Sequence, residues 1–202
     1  EFLKWEVPDW IVYPGGALGN TSSCGKCLME LHKWGWIKKI PRIAVINAEG
    51  ANTLYQLYNG KFEDEELRWN NGSPNLELIE KYYNHMNEDE SLKPKTKATA
   101  IQIGKPANIT KGLRALEFTN GVVIQVSDKE MLDGMSAVGL NGFDCEMASG
   151  ATVAGIKKLL DDEIIKNDDK VIGILTGRQK EPMLPIEYHN DPDNRFAVPP
   201  KS

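Results

Sequence analysis

Four short apolar runs alternate with stretches of helical periodicity: Trp10-Ile-Val-Tyr13, Ile43-Ala-Val-Ile46, Val122-Val-Ile-Gln-Val126 and Val171-Ile-Gly-Ile-Leu175. Runs so nearly continuous in apolar residues suit parallel strands covered on both faces. Leu28, Leu31 and Trp34 recur at helical spacing, which predicts a helix from Asn20 or Thr21 to about Trp36. Further helices are expected over Asn52 to Tyr58, Ile109 to Phe118, Asp128 to Leu140 and Ser149 to Ile165. Asp128 and Glu130, just after the third run, mark a capped start. Strand alternating with helix specifies an α/β fold, a three-layer, mostly parallel sheet with right-handed crossovers. Four strands are a thin sheet for 202 residues. We therefore expect the chain to supply part of a larger sheet and to expose an apolar edge that associates with its missing part or with itself.

Residues 60–97 interrupt the pattern as a long, polar insertion. It contains the acidic run Glu63-Asp-Glu-Glu66 and the turn cluster Asn70-Asn-Gly-Ser-Pro74. Leu76, Leu78, Ile79, Tyr82, Tyr83 and Met86 follow at helical intervals, so a helix is expected inside it.

Charge narrows the range of partners. Lys and Arg total 24 against 29 Asp and Glu, a net charge of -5 with no basic stripe, which argues against nucleic acid. No apolar run has the length of a membrane span and no signal peptide opens the chain, so a cytoplasmic location is expected. The abrupt start at Glu1, without Met, reads as a chain that begins mid-protein.

Three cysteines do not make a disulfide framework. Cys24-Gly-Lys-Cys27 has three readings: two thiols on a buried helix, a redox pair near a helix start, or half of a zinc site. Zinc needs a second pair, and Cys145, His32, His85 and His189 are poorly spaced for it, so no metal is expected.

Ligands of open α/β sheets gather outside the carboxyl ends of the strands. Three strand ends are candidates: Pro14-Gly-Gly-Ala-Leu-Gly-Asn20, Asn47-Ala-Glu-Gly-Ala-Asn52 and Leu175-Thr-Gly-Arg178. In the first, glycines permit a tight turn and a helix follows at once, so backbone N–H groups converge on an anion-sized space suited to phosphate. A tight strand–helix turn with no ligand is the plain alternative. The Walker pattern fails for want of Gly-Lys-Ser/Thr, and Gly15, Gly16 and Gly19 have the wrong intervals for a dinucleotide fingerprint, although Glu49 could mimic its ribose-binding acid.

The full wording of residues 8–20, Pro-Asp-Trp-Ile-Val-Tyr-Pro-Gly-Gly-Ala-Leu-Gly-Asn, resembles the threonine synthases of the pyridoxal-phosphate fold-type-II class. The resemblance continues through Ile40-Pro-Arg-Ile-Ala44, Thr99-Ala-Ile-Gln-Ile-Gly104 and Gly112-Leu-Arg-Ala-Leu116. Beyond these come Cys145-Glu-Met-Ala-Ser149, Ala151-Thr-Val-Ala-Gly155, Ile174-Leu-Thr-Gly177 and the tail Asn194-Arg-Phe-Ala-Val-Pro-Pro200. It covers nearly everything outside the insertion. It implies part of the large domain of such an enzyme, with pyridoxal 5'-phosphate as cofactor. Gly16, Ala17, Leu18, Gly19 and Asn20 would hold the cofactor phosphate, Thr176 would meet its pyridine nitrogen, and Glu146 would lie near the ring. A neutral hydroxyl at that nitrogen implies a ring less cationic than a carboxylate partner would give.

The implied reaction turns O-phospho-L-homoserine and water into L-threonine and phosphate. Sibling readings are a threonine or serine dehydratase, or a non-catalytic module that binds a phosphorylated ligand or a partner chain. Ala17, Met147, Gly150 and Arg178 depart from the family wording, where asparagine, proline, alanine and histidine are usual. Lys180-Glu-Pro182 is close to the family's Lys-Asp-Pro but comes one residue early. The family's Schiff-base lysine lies upstream of the phosphate loop, and no lysine here has its context. We therefore expect residues 1–202 to be the C-terminal part of the catalytic chain, without a catalytic residue, inactive alone, and a homodimer when complete.

Overall fold

The computed structural model describes residues 6–62, 65–66 and 73–178. The turn residues 70–72, Lys180-Glu-Pro182, His189 and the tail motif lie outside the described residues, as do Glu63 and Asp64 of the acidic run.

Four parallel strands form the main sheet: β1 (Trp10–Pro14), β2 (Arg42–Ala48), β5 (Val122–Val126) and β6 (Val171–Gly173), in the order β5-β2-β1-β6. Val12 is level with Ala44 on one side and Gly173 on the other, and Ala44 with Val122. A two-residue antiparallel pair, β3 (Lys61–Phe62) and β4 (Glu65–Glu66), stands apart in the insertion.

Alternation along the strands divides the core in two. Trp10, Val12, Ala44 and Ile46 pack with Met131 of α5 (Asp128–Leu140) and Ala151 and Leu159 of α6 (Met147–Asp161). Tyr13, Ile43 and Val45 face the other way, toward Leu28 of α1 (Gly19–Lys33), Leu54 of α2 (Thr53–Asn59) and Leu113 of α4 (Ile109–Phe118). The insertion helix α3 (Leu76–Glu88) adds Leu78 and Ile79 to this second layer. The expected three layers are thus present, and the main sheet is wholly parallel. Gly134 and Gly150 allow α5 and α6 to touch backbone to backbone, since an added Cβ would lie 2.3 and 2.2 Å from the facing carbonyl oxygens.

Strands and helices fall where periodicity puts them, with differences at their ends. α1 begins at Gly19 and stops at Lys33, because Gly35 takes a left-handed φ of 75°. α6 begins at Met147, earlier than Ser149, and ends at Asp161, before Glu163 turns left-handed at φ 55°. The α5 start carries a full capping box between Ser127 and Glu130, so the cap is Ser127 rather than Asp128.

β2 is covered on both faces, with Ile43 to Ala48 buried, whereas β6 is not. Ile172 is 37% exposed and Leu175, past the end of the strand, is 43% exposed. β6 is an edge strand, paired with β1 alone among the described strands. Strand order steps from β1 outward to β2 and β5, then returns to the far side of β1. The winding therefore reverses between β1 and β6, the place where open α/β sheets form a crevice at their carboxyl ends.

Candidate functional site

The loop leaving β1 is anchored by backbone contacts. Gly15 N–H donates to the Ile46 carbonyl at 2.6 Å, and Asn47 Nδ2 donates to the Gly15 carbonyl at 2.9 Å. Asn47 is 3% exposed and its Oδ1 accepts from Tyr55 N–H at 2.8 Å, which fixes the amide's orientation. The carbonyl of Ala17 accepts from both the backbone and the side-chain nitrogen of Asn108, each at 3.1 Å. Leu18 buries its side chain and adopts φ 63°, ψ 19°, a left-handed conformation that costs an L-residue about 1–2 kcal/mol. Such strain persists where the surroundings over-determine it; here a buried side chain on one flank and the doubly bonded Ala17 carbonyl on the other do so.

The outcome is a turn whose donors face no protein partner. Among the described residues, no hydrogen bond takes up the backbone N–H groups of Gly16, Ala17, Leu18, Gly19, Asn20 and Thr21. α1 has no side-chain cap and no acidic residue in its first turn, so the positive end of its dipole is uncompensated. Ala17 and Asn20 are exposed. The three loop glycines differ in kind. A Cβ on Gly15 would lie 2.5 Å from Asn47 Nδ2, so the fold's own packing demands glycine there, whereas one on Gly16 would lie 3.2 Å from the Ala100 carbonyl oxygen, a tight contact that a small shift relieves. A Cβ on Gly19 would meet nothing nearer than Asn108 Nδ2 at 3.9 Å. Gly19 therefore fronts open space, which suits an anion approaching the helix end.

The loop after β6 reaches the same rim, since β1 and β6 are parallel neighbours and adjacent strands lie about 4.8 Å apart. Here the start of α6 closes on the chain. Ser149, fully buried, accepts through Oγ from Thr176 N–H at 2.9 Å and Gly177 N–H at 3.3 Å. Thr176 Oγ1 donates to Glu146 Oε1 at 2.9 Å, and Glu146 N–H donates to the Gly177 carbonyl at 2.9 Å. Glu146 is the N-cap of α6 without capping it through its side chain, because the carboxylate is turned toward Thr176. A Cβ on Gly177 would lie 2.7 Å from Glu146 Oε1, so a larger residue there would push that carboxylate aside.

All seven residues expected at the site therefore lie on one rim: residues 16–20 on the β1 side, Glu146 and Thr176 on the β6 side. Sequence reading missed the frame that holds them, namely Asn47, Asn108 and Ser149. Ser149 stood in a quoted motif, but its role depends on a partner 27 positions away. Glu49 lies elsewhere on the rim, lining a cavity of about 390 Å³ with Asn52, Tyr82, His85 and Met86.

The cysteines divide. Cys24 is half-buried against Tyr13, and burial pushes its thiol pKa up. Cys27 is exposed, which corrects the reading of two buried thiols, because its position on α1 turns away from the sheet. Cys145 is buried beside Glu146, and burial raises its thiol to about 11.

The chain is 31% identical over 192 residues to a threonine synthase of Methanocaldococcus jannaschii, and 32% identical over 192 residues to that of Methanosarcina acetivorans. Each match takes in 94% of this chain and 42% of the relative, so the chain spans less than half their length. Among solved structures, the processed form of threonine deaminase isoform 2 from Solanum lycopersicum superposes with a TM-score of 0.58 at 11% identity, covering 86% of this chain and 41% of that one. At that identity the likeness shows the fold, that of fold-type-II pyridoxal-phosphate enzymes. Residues 2–177 match the family described as "Pyridoxal-phosphate dependent enzyme", and the chain belongs to it.

Proposed function

We propose that residues 1–202 are the C-terminal part of the catalytic domain of a threonine synthase, which converts O-phospho-L-homoserine and water to L-threonine and phosphate. The observation that carries this reading is the 31–32% identity to curated threonine synthases along 94% of the chain. The rim supports it. Unpartnered amides at residues 16–21 and the open space before Gly19 fit the phosphate of pyridoxal 5'-phosphate, and the exposed Thr176 hydroxyl fits a ring heteroatom one strand away. When bound, the cofactor supplies an electron sink for negative charge that develops on the substrate's carbons.

In this reading the chain's own residues bind and orient. Backbone N–H groups at residues 16–20 hold the phosphate dianion with fixed dipoles, which need no side-chain charge. That explains how Ala17 can replace a polar residue. Thr176 would meet the ring nitrogen, and Glu146 and Ser149 hold Thr176 in place through hydrogen bonds. The lysine that carries the cofactor belongs to a segment outside residues 1–202, so these residues alone are inactive. They act with that segment, in a cytoplasmic enzyme that is a homodimer when complete. Residues 60–97 are an insertion on this domain.

The test is product analysis on the longest polypeptide that carries this chain. Threonine and phosphate should form in equal amounts from O-phospho-L-homoserine. Formation of 2-oxobutanoate from L-threonine instead would make it a deaminase. Turnover of neither substrate with the cofactor present would reduce the site to a binding module.

A further inference from the structure

We propose that the cavity between the end of β2 and the insertion is a second small-molecule site, for an α-amino acid with an apolar side chain. Glu49, at one of the candidate strand ends, takes no part in the cofactor reading, and the inference does not rest on that reading. Glu49 and Gly50 form one wall of the cavity with the start of α2, and α3 and the 3-10 turn after it (Glu90–Leu92) form the other. The volume of about 390 Å³ lies in the range of small-molecule sites. Two contacts join the walls. Lys95 N–H donates to the Gly50 carbonyl at 2.5 Å, and the backbones lie so close that a Cβ on Gly50 would sit 1.9 Å from the Lys95 carbonyl oxygen. The buried Thr53 hydroxyl donates to Met86 Sδ at 3.9 Å. The insertion is thus fastened to the sheet's rim around a hollow of ligand size.

The lining names the ligand class. Glu49 is its one carboxylate, and no hydrogen bond or ion pair among the described residues takes up that carboxylate. Lys93, on the opposite wall, is its one ammonium and pairs with Glu90, whose side chain is 83% exposed. Exposed pairs of this kind are weak, so Lys93 exchanges Glu90 for a ligand carboxylate at little cost. Its flexible four-carbon stem lets the ammonium follow that carboxylate. One negative and one positive charge on facing walls match a zwitterion. They disfavour a phosphorylated compound, which Glu49 repels and a single ammonium does not neutralise. Tyr82, Met86 and Leu92 supply apolar surface beside the two charges. An α-amino acid carries an ammonium, a carboxylate and one apolar branch on a single carbon, which is the set these walls can satisfy.

Isothermal titration calorimetry on the longest polypeptide that carries this chain tests the site with three probes. L-Leucine should bind saturably. L-Leucinamide, which lacks the carboxylate, and 4-methylpentanoate, which lacks the ammonium, should each bind at least about tenfold more weakly. Glu49→Gln should remove the preference over 4-methylpentanoate and keep that over L-leucinamide, and Lys93→Gln should do the reverse. Both positions are exposed, so neither substitution disturbs the core. Absence of saturable L-leucine binding overturns the proposal. Selectivity that ignores either substitution overturns it too, since the amino acid then sits elsewhere, the cofactor rim included. Neither result touches the cofactor reading, which product analysis decides.

Discussion

Two helices begin on the same rim and end their backbones in opposite ways. α1 starts with its amides open, held in place by the buried Leu18 side chain, Asn47 and Asn108 from behind. α6 starts closed, with Glu146 and Ser149 engaging Thr176 and Gly177 until every donor among them has an acceptor. An open helix start presents positive dipole to an anion, whereas a saturated one presents whatever polarity its side chains leave over. One strand apart, the two starts border a slot, with open donors on the β1 side and a saturated network on the β6 side.

The sharpest way to break the comparison is to move the turn that opens α1. Gly15→Val would drive Cβ to 2.5 Å from Asn47 Nδ2 and 2.8 Å from Val45 Cγ1, both held from behind. Overpacking of this kind costs typically about 1–3 kcal/mol, and a rigid site lies at or above the upper end. We expect thermal denaturation to show a loss of about 3 kcal/mol or more. A variant as stable as wild type would mean that the turn is soft and that its amides are not pre-aligned.

On the closed side, Ser149→Ala removes the fully buried Oγ that accepts from the N–H groups of exposed Thr176 and half-buried Gly177. The cost should be about 1 kcal/mol by urea unfolding, because water can reach part of what the serine leaves. Amide hydrogen exchange should rise at 176 and 177 while residues 16–21 are unaffected. Equal exchange changes at both starts would dissolve the distinction between them.

The halves of the slot were unequally legible in the sequence. The open half could be read from local chain: glycines, a strand before, a helix after, and no acidic residue in the first turn. Glu146 and Thr176 could be placed through the family resemblance. Their bond spans 30 positions, and the direction of a hydroxyl's proton has no signature in residue order. Likewise β2 and β6 look alike as apolar runs, yet β2 is the buried interior strand and β6 the exposed edge. Which of two similar runs lies inside depends on strand order, and here the crossover from β5 returns over two strands to the far side of β1.

A further effect comes from Cys145, sealed behind the closed start. Burial, followed by the charges of Asp144 and Glu146, raises its thiol from 9.0 to about 11. Below pH 9 the thiol is protonated in both folded and unfolded chains and its contribution is fully present. Between 9 and 11 the unfolded chain loses the proton while the folded chain keeps it, so stability falls as pH rises. Between pH 9 and 10 the loss should be about 1 kcal/mol. Cys145→Ala should flatten that part of the pH–stability curve. An unchanged slope would show that the closed start admits water.

Gly19→Val should change stability least and separate the two starts most cleanly. No left-handed φ is required at Gly19, and the added Cβ would lie 3.9 Å from its nearest neighbour, an ordinary contact. Gly is the poorer helix former, so folding should shift by less than about 1 kcal/mol, in the stabilising direction if at all. The branched side chain would nevertheless stand in the space before the unpartnered amides. Affinity for inorganic phosphate and for pyridoxine 5'-phosphate, measured by calorimetry, should fall at least about tenfold, equivalent to about 1.4 kcal/mol. Hydrogen exchange at Thr176 and Gly177 should stay as in wild type, because the closed start shares no bond with Gly19. If Gly19→Val binds phosphate as tightly as wild type, the open amides are not the anion site. The donor half of the slot would then have to be sought elsewhere on the rim, while the saturated network around Thr176 would stand unaltered.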